Sequence, residues 1–237
     1  LGKHICMHFV GSDIRNPNYL KFLVDKQQPL TKNVITNQLK WQKELVRDTQ
    51  KYADRIIVST PDLLSIIPTA THLPISLNTA ELIKTMKSNT VKQNIYFKTQ
   101  RRKILHCPSN PPIKGSKLVN NCIKELEKEG IEFEYIYGPD LKKSTNSTYS
   151  VSRYDLFQLY KEADIVIDQL LIGWYGQQAL EAILAGCQTI CYINSELKNH
   201  LDEDCPIIQA DKQSLKSVIV KSLKKPINKD QKARQIE

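Results

Sequence analysis

The stretch Ala163–Ile193, ADIVIDQLLIGWYGQQALEAILAGCQTICYI, decides the fold class. Ile165, Val166 and Ile167 form a short apolar run between acidic residues, the pattern of a strand buried on both faces of a parallel sheet. Gly173 and Gly176 bracket Trp174 and Tyr175 in a tight turn. Gln177 to Ala185 then has helical composition and stops at Gly186, a residue suited to the position just past a helix C-terminus. Thr189 to Ile193 is the next apolar run and a second strand. Strand, glycine turn, helix and strand make a βαβ unit, in which backbone N–H groups and the positive helix end stand where the first strand stops. A phosphate suits that place, and the two glycines are also explained by a tight turn alone. Glu181, in the first turns of the helix, is placed to accept from sugar hydroxyls; a solvated helix acid is the ordinary alternative.

The rest of the composition bounds the class. At 237 residues and 41% apolar content, the chain has room for one large domain or two small ones around a packed core. No apolar run approaches the roughly 20 residues of a membrane span. Leu1-Gly2-Lys3-His4 lacks the pattern of a signal peptide, and without an initiator Met the chain is expected to begin inside a longer protein. The six cysteines include no C-x-x-C pair, which signals neither a zinc site nor a disulfide framework and fits reduced thiols in the cytosol. A net charge of +9 favours an anionic partner: a nucleotide, an acidic lipid surface or a nucleic acid. Arg101-Arg102-Lys103 reads as a solvated edge, with too few aromatics nearby for a nucleic-acid stacking platform.

Outward from the central stretch, the same alternation recurs. Strands are predicted at Ile5–Val10, Arg55–Ser59, Leu73–Ile75, Lys103–Cys107, Glu132–Tyr137 and Pro206–Gln209. Helices are predicted at Thr31–Ala53, Ser116–Glu129 and Lys212–Leu223, and a short one at Leu63 opened by Thr60-Pro61-Asp62. Ser152-Arg153-Tyr154-Asp155 has the spacing of a capping box and starts a further helix. The second half therefore makes a doubly wound parallel sheet of about five strands. The first half has too few strands for such a sheet and is expected to be the C-terminal part of an incomplete Rossmann-like domain. The Lys-, Asn- and Thr-rich residues 78–102 hold the boundary, giving domains 1–99 and 100–223 and a charged tail 224–237.

ILHCPSNPPIKG (104–115), ADIVIDQ (163–169) and GWYGQQALEAILAG (173–186) together resemble the C-terminal domain of retaining nucleotide-sugar glycosyltransferases, the "group 1" family of GT-B fold. HFVGSDIR (8–15) and ADRIIVSTPDLL (53–64) look like first-domain segments of bacterial members. The resemblance implies sugar transfer from a nucleotide diphosphate donor, bound in the cleft between two Rossmann-like domains, with no metal and no other cofactor. It also implies a donor-binding set of Ser109, Lys114, Gly115, Gly173, Trp174, Tyr175, Gly176, Gln177 and Glu181. In that set Lys114 neutralises the diphosphate, the N–H groups around Tyr175 and Gly176 hold its phosphates, and Glu181 takes the ribose. The chain departs from the family in three places. The first acid of the Glu-x7-Glu motif is Gly173, as in a GWYG-turn subgroup; a usual basic residue is Ser109; and the usual His before the GSD-like turn is Val10, with His8 two residues earlier on the same strand face.

His8 and Asp13 are the candidate catalytic residues of the first half, with a rim histidine and a turn cap as the ordinary alternatives. The expected activity is retaining glycosyl transfer to a carbohydrate, lipid or protein acceptor. It is placed in the cytoplasm or peripherally at the inner membrane surface, and no nucleic-acid partner is expected. Two competitors stand beside it: a non-catalytic nucleotide-binding module of the same fold, and a nucleic-acid-binding α/β domain favoured by charge alone.

Overall fold

The computed structural model describes residues 2–15, 30–87, 96–141 and 151–225. The chain divides into two compact units, Leu1–Ser76 and Leu77–Glu237.

In the first unit, β1 (Cys6–Phe9), α1 (Leu30–Tyr52), β2 (Arg55–Val58) and β3 (Thr71–His72) form a three-stranded parallel sheet in the order β1-β2-β3. Phe9 and Val58, paired in register, bury against Ile14, Leu63 and Ile67. The third strand lies at Thr71–His72 and not at the predicted Leu73–Ile75. The N–H of Leu73 makes one more bond to Val58 O (2.9 Å), and Pro74, which has no N–H, ends the ladder. The short helix after β2 is a 3-10 turn, Pro61–Ser65, and Thr60 makes no side-chain cap. Its hydroxyl instead accepts from Arg15 Nη2 at 3.0 Å.

The second unit begins with α2 (Thr79–Lys87), followed by β4 (Lys103–His106), α3 (Pro111–Lys114), α4 (Ser116–Lys128) and β5 (Glu134–Tyr137). α5 (Arg153–Glu162), β6 (Ile165–Ile167), α6 (Gln177–Leu184), β7 (Gln188–Cys191), β8 (Ile208–Gln209) and α7 (Leu215–Lys224) complete it. The boundary expected at residues 99/100 therefore falls earlier, because Leu82 of α2 and Phe97 are buried in this unit's core. Of the expected charged tail, residues 226–237 lie outside the described residues.

The five strands are all parallel, in the order β5-β4-β6-β7-β8. Side chains alternate across this sheet as period 2 requires. Leu105 and Val166 point to a core completed by α2, α5 and α6. Ile104, Ile165 and Ile167 point to the opposite core, under α4 and α7. The sheet is thus doubly wound. β4 connects to β5 on one side and β6 lies on the other, so the chain reverses direction across the sheet between β4 and β6. In such sheets that switch point opens a crevice at the carboxyl ends of the two strands. No helix among the described residues is long and apolar enough to cross a membrane.

Candidate functional site

The end of β4 delivers Lys114. After His106 the chain turns into α3, which Asn110 caps by accepting from the Ile113 N–H at 3.4 Å, with Pro111 at its first position. Gly115 follows with φ +80°, and a Cβ there would stand 3.2 Å from Leu171 Cγ and 3.3 Å from Leu170 Cβ. Only glycine fits this approach. The Leu170 N–H donates to the Lys114 carbonyl (3.1 Å), which fixes α3 against the end of β6.

Lys114 Nζ then lies 3.0 Å from Asp168 Oδ1, and the Gly176 N–H donates to Asp168 Oδ2 at 3.1 Å. The sequence leads one to expect Lys114 and the N–H groups of 175–177 around one bound anion. In the structure, Lys114 and Gly176 meet an anion that belongs to the protein. The Asp168 side chain is completely buried.

Beside this pair is a cavity of about 300 Å³, lined by Ser109, Lys114, Arg153, Gln177, Gln178 and Glu181 among others. Its size falls at the lower end for small-molecule sites. α6 supplies one wall. Gln178 Nε2 donates to the Cys107 carbonyl (2.9 Å), tying α6 to the end of β4. α5 supplies the other, with Ser152 capping it by accepting from the Asp155 N–H at 3.1 Å.

Glu181 is buried, which excludes the solvated-acid alternative. Its Oε1 accepts from Arg153 Nη1 (3.1 Å) and Gln177 Nε2 (3.0 Å), and its Oε2 from the Tyr160 hydroxyl at 3.5 Å. Burial, and then the charge of Glu181, push the Tyr160 phenol well above its ordinary range, so it remains a donor. Cys107 also borders the cavity, and burial pushes its thiol up to about 12, which leaves it protonated at neutral pH.

Gly173, Trp174 and Tyr175 lie outside the cavity lining. Trp174 is buried with Cys191, Ile193 and Ile207, and Tyr175 stacks on it with ring centroids 4.9 Å apart. Gln169 holds the turn by donating to the Trp174 carbonyl. Gly173 has φ +86°, and a Cβ there would come 3.1 Å from Asn194 Cβ. The turn itself therefore requires glycine where the family pattern has an acid.

Three contributors were missed by sequence reading. Asp168 follows an apolar strand and looked like a flanking acid. Arg153 sat inside a capping-box motif that already explained the segment. His106, fully buried, donates from Nδ1 to the Ile167 carbonyl and accepts at Nε2 from the Ser116 hydroxyl, both at 2.8 Å. A carbonyl can only accept, which sets this tautomer. Burial pushes His106 down to about 4, so it is neutral at pH 7 and pins β4 to the end of β6 and the start of α4.

In the first unit, His8 is exposed and its Nε2 lies 2.6 Å from Ser59 Oγ. Asp13 Oδ2 accepts from the Val10 N–H at 2.9 Å, as a turn cap does. Arg15 makes a two-pronged pair with Asp62, Nε to Oδ2 at 2.5 Å and Nη2 to Oδ1 at 3.1 Å, and so joins the ends of β1 and β2.

These features define a doubly wound, Rossmann-like α/β unit with a charged cavity at its switch point. No family model and no curated protein matches the sequence. Among solved structures the chain is similar to sucrose-phosphate synthase from Thermosynechococcus elongatus, with a TM-score of 0.56 and 11% identity over 100% of this chain and 63% of that one. The chain spans less than two thirds of that synthase's length, and the likeness is one of fold.

Proposed function

We propose that the chain belongs to a GT-B glycosyltransferase whose second unit binds the nucleoside diphosphate of a sugar donor. One observation carries the reading: at the switch point of the five-stranded sheet, an ammonium (Lys114), a guanidinium (Arg153) and a buried carboxylate (Glu181) line one cavity. The cations suit a diphosphate and the carboxylate suits ribose hydroxyls. The fold shared with an enzyme named for making sucrose phosphate, a glycoside, agrees with sugar chemistry.

In the proposed reaction the bond from the sugar's anomeric carbon to the diphosphate oxygen breaks, and an acceptor hydroxyl forms the new bond while losing its proton. Negative charge grows on the departing diphosphate, where Lys114 and Arg153 oppose it. No metal or other cofactor is invoked for that role. Retention of configuration, a carbohydrate, lipid or protein acceptor, and a location in the cytoplasm or at the inner membrane surface complete the reading. Calorimetry with UDP and GDP, followed by a nucleotide-sugar panel scored for released nucleotide, tests it. Absence of binding to either nucleotide at millimolar concentration by the folded protein counts against it.

A second reading is a non-catalytic nucleotide-binding module of the same fold. Gly173 favours it, because the turn excludes the acid that the family places there. Nucleotide binding without consumption of any donor on the panel would select this reading.

A further inference from the structure

Asp168 is the charged group beside the cavity that neither reading uses. Its two oxygens take the donors that a phosphate oxygen in the same place would take, Lys114 Nζ at 3.0 Å and the Gly176 N–H at 3.1 Å. Gly176 packs directly on the pair: a methyl there would come within 3.1 Å of Lys114 Nζ and 3.4 Å of Asp168 Oδ2. A carboxylate with no exposed side-chain surface depends on such partners, because moving it or stripping them leaves an uncompensated buried charge.

The charges around the cavity are therefore paired. Lys114 holds Asp168 and Arg153 holds Glu181, so two positive and two negative groups cancel. A diphosphate reaching Lys114 from the cavity meets an ammonium with one donor already spent and an opposing charge directly behind it. Lys114 has two further N–H donors with which to meet a ligand.

We propose that Asp168 is an affinity-setting residue: it fixes Lys114 in place, stays bound when a diphosphate enters, and by its charge keeps diphosphate binding weak and readily reversed. This rests on the reading that the cavity accepts a diphosphate. A transferase gains from the arrangement, since its nucleotide product must leave before the next donor binds.

The test compares the full chain with its Asp168→Asn variant by calorimetry, using inorganic pyrophosphate, UDP, GDP and the nucleosides uridine and guanosine. The variant should bind pyrophosphate tighter by about tenfold or more, with a steeper loss of affinity as salt rises and nucleoside binding unchanged. Equal or weaker pyrophosphate binding by the folded variant overturns the proposal. If that variant does not fold, Asp168→Ser, which also removes the charge, is read in the same way. A measurement on the unaltered protein stands beside these: a crystal structure of its pyrophosphate complex should keep the Asp168 carboxylate on Lys114 Nζ and on the Gly176 N–H. An Asp168 side chain turned away, with pyrophosphate on those two donors, overturns the proposal. Should pyrophosphate behave as expected while UDP and GDP fail to bind, the role of Asp168 stands and the nucleotide reading falls. If the nucleotides bind both proteins equally, the reverse holds.

Discussion

Glu181 and Arg153 meet at 3.1 Å across the cavity, the acid from the first turns of α6 and the base from the first position of α5. The two ends differ in environment. The Glu181 side chain is 3% exposed and that of Arg153 is 47% exposed, so solvent screens the ion pair from one side only. Glu181→Gln should keep the fold and weaken UDP or GDP binding by about 1–2 kcal/mol, because an amide is a poorer acceptor for ribose hydroxyls than a carboxylate. Titration of the variant checks this. Unchanged affinity would leave Glu181 with the structural task of holding α5 to α6.

Gly176→Ala separates the fold from the site. The backbone there is extended (φ −107°, ψ 179°), which any residue adopts, and the added methyl would stand 3.1 Å from Lys114 Nζ and 3.4 Å from Asp168 Oδ2, contacts that a shift of the lysine's end by a few tenths of an ångström relieves. The stability cost should stay below about 1 kcal/mol. The ammonium must yield, however, and a displacement of this kind degrades binding where position matters. Denaturation and pyrophosphate titration of the same preparation should show near-normal stability with weaker binding. A variant that binds as well as its parent would remove Lys114 from the anion site.

His106 predicts a pH dependence. Its folded value of about 4 lies below the ordinary 6.5, so between those limits the unfolded chain binds the proton more readily. Stability from this group is complete above about 6.5 and is lost as pH falls toward 4, by up to about 3 kcal/mol. Urea unfolding at pH 7.5 and 4.5 should show His106→Asn losing less stability over that interval than the parent, although it starts lower. Equal losses in both proteins would assign the acid sensitivity to the carboxylates.

The fold was legible where local signals were strong. Ile165–Ile167 is β6 at the expected residues, and Gly186 and Gly130 each take a left-handed φ just past a helix end. β3 was misplaced because Leu73-Pro74-Ile75 is the more apolar triplet, whereas pairing with Ile57 and Val58 selects Thr71 and His72. The boundary was expected later because Ile95-Tyr96-Phe97 is only a short apolar run in a Lys-, Asn- and Thr-rich stretch, and only the folded unit shows Phe97 buried in its core. At the site, the structure places Ser109, Lys114, Gln177 and Glu181, four of the residues singled out in the sequence, around one cavity. The sequence could not reveal Asp168 as the partner of Lys114, since 54 residues separate them and each has an ordinary local explanation. Trp174 was ambiguous for a similar reason: a large aromatic in a glycine turn serves a pocket or a core equally well, and here it is buried in a core.

The first unit offers the last and most demanding test. His8 and Asp13 stand at and just beyond the carboxyl end of β1, the end at which parallel α/β sheets receive ligands. Asp13 has a structural task, accepting from the Val10 N–H at 2.9 Å, which an asparagine oxygen can also perform. Asp13→Asn should therefore melt within a few degrees of the parent, whereas Asp13→Ala should lose about 1 kcal/mol with the turn bond. His8 is exposed, so His8→Ala should be similarly mild despite losing the contact with Ser59. If either side chain handles the transferred sugar or the acceptor's proton, its variant should lower turnover at least tenfold, about 1.4 kcal/mol in barrier, with nucleotide affinity little changed. Turnover on the donor that the panel identifies, measured beside a melting curve, decides between the roles. Full activity in both Asp13→Asn and His8→Ala would make the turn a structural cap and move the search for the catalytic groups elsewhere in the chain.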